Sequence, residues 1–247
     1  MVGATGARIV VMIRSLFVAV LLLCLPPAAL GQQRMTNPKA SIRHIKSDFS
    51  VSDLKSSMWR RAEVLTITNY WNGLNAPRHR RTEARLLWSD SALYIRFEAT
   101  QAEPLIVSDK PELAKKTMRL WDRDVCELFL APDREHPRKY LEFEVSPTGE
   151  WIDLAIDYSG AERKTDWDFK SSMESAAKIE EGSVVMGMKI PWTAFGGKPK
   201  AGDVWLGNLF RCVGKDPDRG YLTWSPTMTE NPNFHVPEKF GEFKFVK

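Results

Sequence analysis

Acidic side chains and an aromatic ring crowd the stretch LWDRDVCELFLAP, residues 120–132, where Trp121 and Glu127 precede or enter a run of strand-forming residues. A second acidic pair, Glu142 and Glu144, stands two residues apart on another strand-like run, so both side chains share one face of a strand. A glycoside hydrolase uses two carboxyl groups roughly 5–10 Å apart across a sugar. From the residues alone, the favoured interpretation of these carboxylates is a solvated strand face.

Aromatic residues fall into two groups by their position in the sequence. Four lie inside strand-like runs and are expected in the core: Trp88, Phe97, Phe129 and Trp205. Five stand at strand ends or in loops: Trp71, Trp121, Trp167, Trp192 and Phe234. An exposed ring covers the C–H face of a pyranose, while neighbouring Asp, Glu and Asn side chains bond its hydroxyls. The second group therefore favours sugar binding, with structural anchoring as the alternative for any single ring.

Motifs of the common hydrolases and nucleotide-binding enzymes are absent from the sequence, including G-x-S-x-G, H-E-x-x-H, paired C-x-x-C and the P-loop. Of the four histidines, only His235 lies in a segment of interest, directly after Phe234. The basic run at residues 77–81 is interpreted as a solvated loop, because a near-neutral chain has little long-range attraction for nucleic acid. We therefore expect no nucleophile–histidine–acid set and no nucleic-acid partner.

The N-terminus, residues 1–31, predicts a cleaved secretory signal. Arg8 and Arg14 precede an apolar run at residues 16–25, and Ala-Leu-Gly at residues 29–31 offers small residues to a signal peptidase. The apolar run is far shorter than the ~20 residues that a membrane span needs. We expect a secreted or periplasmic protein without a membrane span after cleavage, and a formal charge that falls from +4 to +2 when the two arginines leave.

The remaining chain is divided into a loose leader, residues 32–37, and one domain, residues 38–247. The whole of 32–45 is polar without periodicity, so we expect it to be loose and to contain no strand. Residues 46–63 predict a loop that ends in a short helical turn.

Short runs of alternating apolar residues follow from residue 82 onward and predict strands. Hairpins are expected at residues 82–100 and 139–158, with turns at 89–91 and 147–149, and a final strand follows Gly241. No sustained helical period competes with this pattern. The sequence therefore predicts an all-β fold, a single-domain antiparallel β-sandwich or jelly roll.

Two cysteines remain after the signal, Cys126 and Cys212. Export permits a disulfide. Both residues lie in apolar strand-like runs, however, where a buried free thiol is common. We favour free thiols and keep the bridge as the alternative, since sequence does not fix the Cα separation.

Six stretches, taken together and in order, resemble family 9 carbohydrate-binding modules and the wider DOMON-like sandwich group. They span about residues 83–245 and read EARLLWSDSALYIRFEA, WDRDVCELFLAP, KYLEFEVSPTGEWID, MGMKIPWTAF, GDVWLGNLFRC and WSPTMTENPNFHVPEKFGEFKF. The resemblance implies a β-sandwich that binds sugar without cleaving it. It also implies a role in polysaccharide breakdown, with β-glucan or xylan type oligosaccharides as ligands and glycoside hydrolases as partners.

The resemblance implies that two aromatic side chains clamp a terminal sugar ring. Trp121 matches the first residue of the family's W-x-x-D-x-x-E pattern, and Phe234, before the Pro-x-x-Phe-Gly run, stands where a branch of the family has tryptophan. The other expected ligand-binding residues are Glu127, Glu144, Phe210, Arg211, Asn231 and His235. That branch has amide or basic residues at the positions of Glu144 and Phe210, which leaves the identity of the sugar open. Asp124 is expected to brace a loop.

Two other functions stay open. DOMON-like relatives include haem-binding electron-transfer domains with Met and His or Lys as ligands, for which Met118, Met228 and His235 are candidates. A glycoside hydrolase would use Glu127 and Glu144. Sugar binding requires no cofactor. The resemblance implies structural calcium in loops rich in carboxylates, although no loop of this chain has a recognisable calcium spacing.

Overall fold

Strands make up most of the regular structure in the computed structural model, which describes Met1, Gly3 and residues 37–247. They are β1 Lys39–His44, β2 Leu65–Ile67, β3 Asn69–Tyr70, β4 Thr82–Trp88, β5 Ala92–Thr100, β6 Val125–Ala131, β7 Lys139–Val145, β8 Trp151–Asp157, β9 Lys164–Asp166, β10 Glu174–Glu180, β11 Ser183–Pro191, β12 Val204–Val213, β13 Gly220–Thr223 and β14 Gly241–Val246. Short 3-10 turns complete the described regular structure: η1 Ser57–Arg61, η2 Arg78–Arg80, η3 Leu120–Asp122, η4 Trp192–Phe195 and η5 Pro237–Lys239. The all-β prediction is confirmed.

The predicted signal segment and leader lie outside the described residues, apart from Met1, Gly3 and Asn37. Among the residues that are described, no helix has the length and apolar character needed to cross a membrane. Residues 37–247 pack as one compact unit.

One curled sheet contains all fourteen strands. Its main order is β10-β11-β5-β4-β1-β14-β12-β6-β7-β8-β9, with β2 beside β4, β13 beside β12, and β3 beside β13. β7 touches both β10 and β11, and β2 touches β12, so the two halves of the sheet face each other as a sandwich. The sheet is mixed, because β1 runs parallel to both of its neighbours, β14 and β4.

The interior between the two halves is apolar because alternate residues of each strand point into it. Leu93, Ile95 and Phe97 of β5 are buried there, as their spacing predicted. Burial of each such side chain stabilises the fold by roughly 1.5–3 kcal/mol. Aromatic rings pack edge-to-face or tilted at one end of this inner core: Trp88, Trp192, Phe195, Trp205 and Phe245.

A second apolar layer covers the opposite faces of β6, β7, β8 and β12. We call it the outer layer; its buried members include Phe129, Tyr140, Ile152, Leu154, Phe210 and Cys212. Leu120 from η3 and two residues that precede β14, Phe234 and Phe240, pack over these strands. Side chains that alternate with the inner core on β6 and β7 therefore belong to this covered layer rather than to a solvated face.

The expectation that residues 38–45 contain no strand is wrong. β1 bonds along β14 and β4, and its two apolar side chains, Ala40 and Ile42, are buried in the inner core. The alternation consists of only these two residues, one of them small. β1 is held by two parallel partners that are distant in the sequence, and no local sequence pattern predicts such pairing.

The helical turn expected within residues 46–63 is η1. The Ser56 hydroxyl accepts a hydrogen bond from the Met58 amide at 3.4 Å at its start. Trp59 is buried and meets Phe49 edge-on, while Phe49 stacks on Tyr94 of β5 with ring centroids 4.6 Å apart. This small cluster covers the outer side of the β4–β5 hairpin.

Both described cysteines are free and buried, so the favoured prediction of free thiols is confirmed. In the β6–β12 register, Cys126 lies opposite Arg211 and Cys212 lies opposite Val125. The two thiols therefore point to opposite faces of the sheet, Cys126 into the inner core and Cys212 into the outer layer. This geometry prevents a bridge without movement of a strand.

Candidate functional site

Three carboxylates meet on the outer face of β6 and β7. Antiparallel pairing sets Glu127 directly opposite Glu144 and Phe129 opposite Glu142, so all three glutamates point into the outer layer. Their exposed fractions are only 2%, 4% and 0% for Glu127, Glu142 and Glu144. The interpretation of these residues as a solvated strand face is therefore wrong, because the loops after β8 and before β14 cover them.

Burial raises the pKa of all three carboxyl groups above their usual 4.5, since the charged form is poorly solvated there. Mutual repulsion adds to this effect: the Glu142 charge raises the pKa of Glu127, and the charges of Glu127 and Glu142 raise that of Glu144. Both oxygens of Glu144 and Oε2 of Glu142 are shielded and have no hydrogen-bond partner. The cluster therefore favours protons or cations.

A cavity of about 310 Å³ opens beside these carboxylates. Its described wall consists of Trp121, Asp122, Glu127, Phe129, Glu142, Glu144, Leu154, Ile156, Arg163, Thr165, Trp167, Cys212, Arg219, Tyr221, Pro232, Asn233, Phe234 and His235. Ligand pockets for small molecules measure roughly 300–1,000 Å³. The cavity is at the small end of that range and combines aromatic rings with carboxylates.

Trp121 is presented by the turn η3, which directly precedes β6. The Arg219 side chain fixes this turn, because its Nη2 donates to the carbonyl oxygens of Trp121 and Arg123, the latter at 2.9 Å. The indole lies 6.2 Å from that of Trp167, centroid to centroid, with the ring planes inclined by 41°. Both rings line the cavity.

Phe234 lies on the same cavity wall but is largely buried, with 9% of its surface exposed. Its ring stacks on Phe210 at a centroid distance of 4.1 Å, and Tyr221 meets it edge-on. One face of the Phe234 ring is therefore occupied by the protein.

His235 contacts the cavity from the same segment. Its Nδ1 is hydrogen-bonded to the Tyr140 hydroxyl at 2.7 Å. Burial, with a smaller contribution from the charge of Arg163, lowers the pKa of His235 to about 3, so the imidazole is neutral at physiological pH. It therefore contributes hydrogen bonds to the cavity rather than charge.

Comparison with known protein families shows which family this chain belongs to. The sequence profile described as carbohydrate family 9 binding domain-like matches residues 53–247. The chain belongs to this family. An extracellular protein of Arthroderma benhamiae is 25% identical over 182 residues, which cover 67% of this chain and 79% of that protein.

Solved structures share the family 9 fold. A crystal structure from Bacteroides uniformis aligns with a TM-score of 0.68 at 18% identity, over 85% of this chain and 100% of the other. A family 9 carbohydrate-binding module from Caldicellulosiruptor kristjanssonii aligns in its cellotriose complex with a TM-score of 0.59 at 16% identity, over 85% of this chain and 94% of the module. Its glucose complex aligns equally well, at 0.59 and 16%, over 84% and 95%. Because these sequence identities are low, the structural similarity supports a shared fold and no more.

Five of the eight residues that the family resemblance placed at the site line one cavity: Trp121, Glu127, Glu144, Phe234 and His235. Phe210 lies directly behind Phe234 and supports it instead of lining the cavity. The Asn231 side chain is exposed outside the wall, while Asn233 lines it. Asn233 Oδ1 accepts a hydrogen bond from the His235 amide at 3.0 Å.

Arg211 lies on the opposite face of β12 from Phe210, because neighbouring residues of a strand alternate. Its Nη1 donates to the carbonyls of Arg80 and Thr100 and to the Thr82 hydroxyl, at 2.8–3.1 Å, and its Nη2 donates to Gln101 Oε1. The guanidinium is 2% exposed. Arg211 therefore does not lie at the cavity as expected. Its side chain instead joins β12 to the ends of β4 and β5.

Asp124 braces a loop, as expected. Its Oδ1 accepts a hydrogen bond from the Gly214 amide at 2.7 Å, and Oδ2 accepts from the Ile106 amide and Gln101 Nε2, both at 3.2 Å. These bonds attach the segment before η3 and the loop after β12 to the start of β6.

Several cavity residues were not assigned to a site from the sequence: Glu142, Arg163, Trp167, Arg219, Tyr221 and Asn233. Glu142 and Trp167 carried a usable signal, since one forms a spaced carboxylate pair and the other is an aromatic residue in a loop. The arginines carried none. Of the methionines considered for haem, Met118 and Met228 are both about half exposed, and neither lines the cavity that contains His235.

Proposed function

We propose that this protein is a non-catalytic carbohydrate-binding module that holds the terminal sugar of a β-linked oligosaccharide in the cavity beside Trp121. The observation that carries the proposal is the combination of aromatic rings and buried carboxylates in one cavity of a family 9 fold. β-Glucan and xylan fragments are the proposed ligand class. The solved family 9 module with cellotriose and glucose makes these two sugars the first probes.

Trp121 and Trp167 supply apolar surface for the C–H face of a sugar ring. Their inclination of 41° suits a ring that rests on one indole and touches the other at its edge. Phe234 offers a further ring face opposite the one stacked on Phe210. The aromatic contact thus comes from three segments that are distant in sequence.

Glu127 supplies hydrogen-bond acceptors to sugar hydroxyls. Its Oε1 accepts from the Cys212 thiol at 3.5 Å, and within the described structure its Oε2 has no protein partner. Burial raises the pKa of Glu127 to about 8, so at neutral pH its carboxyl group is mostly protonated and can also donate one hydrogen bond. Each such neutral hydrogen bond contributes about 0.5–1.5 kcal/mol net. The exposed Asn233 and the rim residues Arg163 and Asp122 provide further polar groups.

The size of the cavity supports recognition of a chain end. At about 310 Å³ it is at the small end of the range for ligand pockets, which favours a terminal sugar over a long stretch of polymer. An internal sugar unit would need openings on both sides for the chain to pass.

The module acts outside the cytoplasm, in polysaccharide breakdown with glycoside hydrolases as partners. The predicted signal segment supports export. The extracellular relative from Arthroderma benhamiae points the same way.

Titration calorimetry with glucose, cellotriose and xylotriose tests the proposal. We expect saturable binding of at least one sugar, and a loss of affinity of at least tenfold in Trp121→Ala and in Trp167→Ala. Trp151→Ala is the matched control, because Trp151 belongs to β8 but packs against the inner core. Recovery of intact sugar after incubation separates binding from hydrolysis. If no β-linked sugar binds, or if Trp121→Ala binds as tightly as the wild type, the proposal is wrong.

A further inference from the structure

The floor of the cavity contains carboxylate oxygens that form no direct ion pair with an arginine or lysine of the described residues, although the charges of Arg163 and Arg219 reach them from the cavity wall. Glu144 is fully buried, and neither of its oxygens accepts a hydrogen bond from a protein donor; a proton shared with Glu142 is the hydrogen bond open to it. Oε2 of Glu142 is likewise unpartnered, and its nearest basic atom is Nδ1 of His235 at 4.0 Å, which already bonds Tyr140. Among the described residues, no lysine or arginine forms an ion pair with the three glutamates. Buried carboxylates in this state cost several kcal/mol unless a proton or cation joins them.

The three carboxylates are placed so that one ion can reach all of them. Each of Glu127, Glu142 and Glu144 offers one oxygen, and the three oxygens lie within 4.8 Å of one another. Two oxygens bound to one Ca²⁺ can be separated by at most twice the Ca²⁺–oxygen distance of about 2.4 Å, so the three oxygens are close enough to share one ion. A single Ca²⁺ between them therefore binds all three without a large strand movement.

We propose that this cluster is a binding site for one hard divalent cation, Ca²⁺ in preference to Mg²⁺. All the donors are oxygens, which suit Ca²⁺, Mg²⁺ and Mn²⁺ rather than softer metals. The donors are fixed by two adjacent strands with no octahedral arrangement, whereas Mg²⁺ demands bonds of about 2.0–2.1 Å in near-ideal octahedral geometry and gives up its waters reluctantly. Ca²⁺ accepts irregular sets of about 6–8 oxygens, so the second oxygens of the carboxylates, together with water on the side of Glu127, complete its ligands.

A sugar hydroxyl does not replace the cation at this position. The oxygens of Glu144 and Oε2 of Glu142 are shielded from the cavity solvent, so a ligand the size of a sugar does not reach them. A bare ion that lies among the oxygens does. The cation site therefore lies beneath the surface on which a sugar would rest and shares Glu127 with it, but cation binding requires no sugar.

Calorimetric titration of the chelator-treated full chain with CaCl₂ and then MgCl₂, without sugar and at a fixed neutral pH, tests the site. We expect saturable binding of one Ca²⁺ per chain, with Mg²⁺ at least tenfold weaker. Glu144→Gln and Glu142→Gln should each weaken Ca²⁺ binding at least tenfold. Glu98→Gln is the matched control, since Glu98 is an exposed carboxylate on β5 outside the cavity; its Ca²⁺ affinity should equal that of the wild type.

A second measurement needs no substitution. Ca²⁺ that binds only the folded chain should raise its unfolding temperature in proportion to the logarithm of the Ca²⁺ concentration. Absence of both saturable heat and a thermal shift in the wild type would overturn the proposal. So would Ca²⁺ affinity that is unchanged in both glutamine variants, or a preference for Mg²⁺. Because sugar is absent throughout, a failure here leaves the carbohydrate proposal standing, and failure of that proposal leaves this one standing.

Discussion

Arg211→Met separates a structural role of this arginine from a ligand-binding one. The substitution removes a 2%-exposed guanidinium that donates to four acceptors, among them the carbonyls of Arg80 and Thr100. Each buried acceptor left without a donor costs about 1–3 kcal/mol. Four such acceptors give about 4–12 kcal/mol, and relaxation that restores partners to some of them, with relief from the cost of burying a guanidinium, reduces the loss to the low end of that range. We therefore expect the free energy of unfolding to fall by about 3–5 kcal/mol.

Urea denaturation, with sugar affinity measured well below the transition, tests this expectation. Arg211→Lys retains the charge but replaces the planar fork with a compact ammonium, so its loss of stability should be intermediate, and it provides a second folded sample. Arg134→Met is the matched control, because Arg134 is half exposed and forms only a surface contact with Glu242 at 3.4 Å; its effect should stay under about 1 kcal/mol. An Arg211 variant that keeps wild-type stability but loses tenfold or more in sugar affinity would refute the structural assignment.

Three further predictions concern the sandwich itself. Gly207→Ala should lower the unfolding free energy by about 1–3 kcal/mol in urea denaturation, because the new Cβ would lie 2.4 Å from the carbonyl oxygen of Phe129. A variant as stable as the wild type would contradict the close approach of β6 and β12. Cys126 and Cys212 should resist thiol reagents in the native state and react after unfolding, because both are buried and burial raises the pKa of Cys126 to about 12. Rapid labelling of both thiols in the native protein would contradict their burial. With chelator present, the unfolding free energy should fall as pH rises from about 4.5 towards 8, because the raised pKa of the buried glutamates keeps protons bound in the folded state that the unfolded chain releases. Glu144→Gln should flatten this decline in denaturation series at several pH values, and a decline of wild-type steepness in the variant would contradict the cause.

The strands of the sandwich could be predicted where the sequence repeats its apolar pattern. The arms of the β4–β5 hairpin alternate over several residues on either side of a polar turn, and both were predicted with the turn between them. β1 lacks such a repeat. β1 pairs in parallel with β14, about 200 residues away in the sequence. The residues of β1 alone therefore do not show that it forms a strand.

The candidate site could be predicted in part for a similar reason. Glu127 and Glu144 come together through the pairing of β6 and β7, which their strand patterns allow one to anticipate. Phe210 and Arg211 are neighbours on one strand, and the sequence did not show which of them faces the cavity. Neither does: Phe210 is covered by Phe234, and Arg211 points to the inner side. The position of Trp167 depends on how the segment after β9 returns over the sheet.

A structure of the protein in complex with the sugar that binds most tightly in calorimetry would show directly where the ligand lies. We expect a terminal sugar ring in the cavity, in contact with the indole of Trp121 and with a hydroxyl within hydrogen-bond distance of Glu127. A sugar bound elsewhere on the sandwich, with the cavity beside Trp121 filled only by solvent, would contradict it.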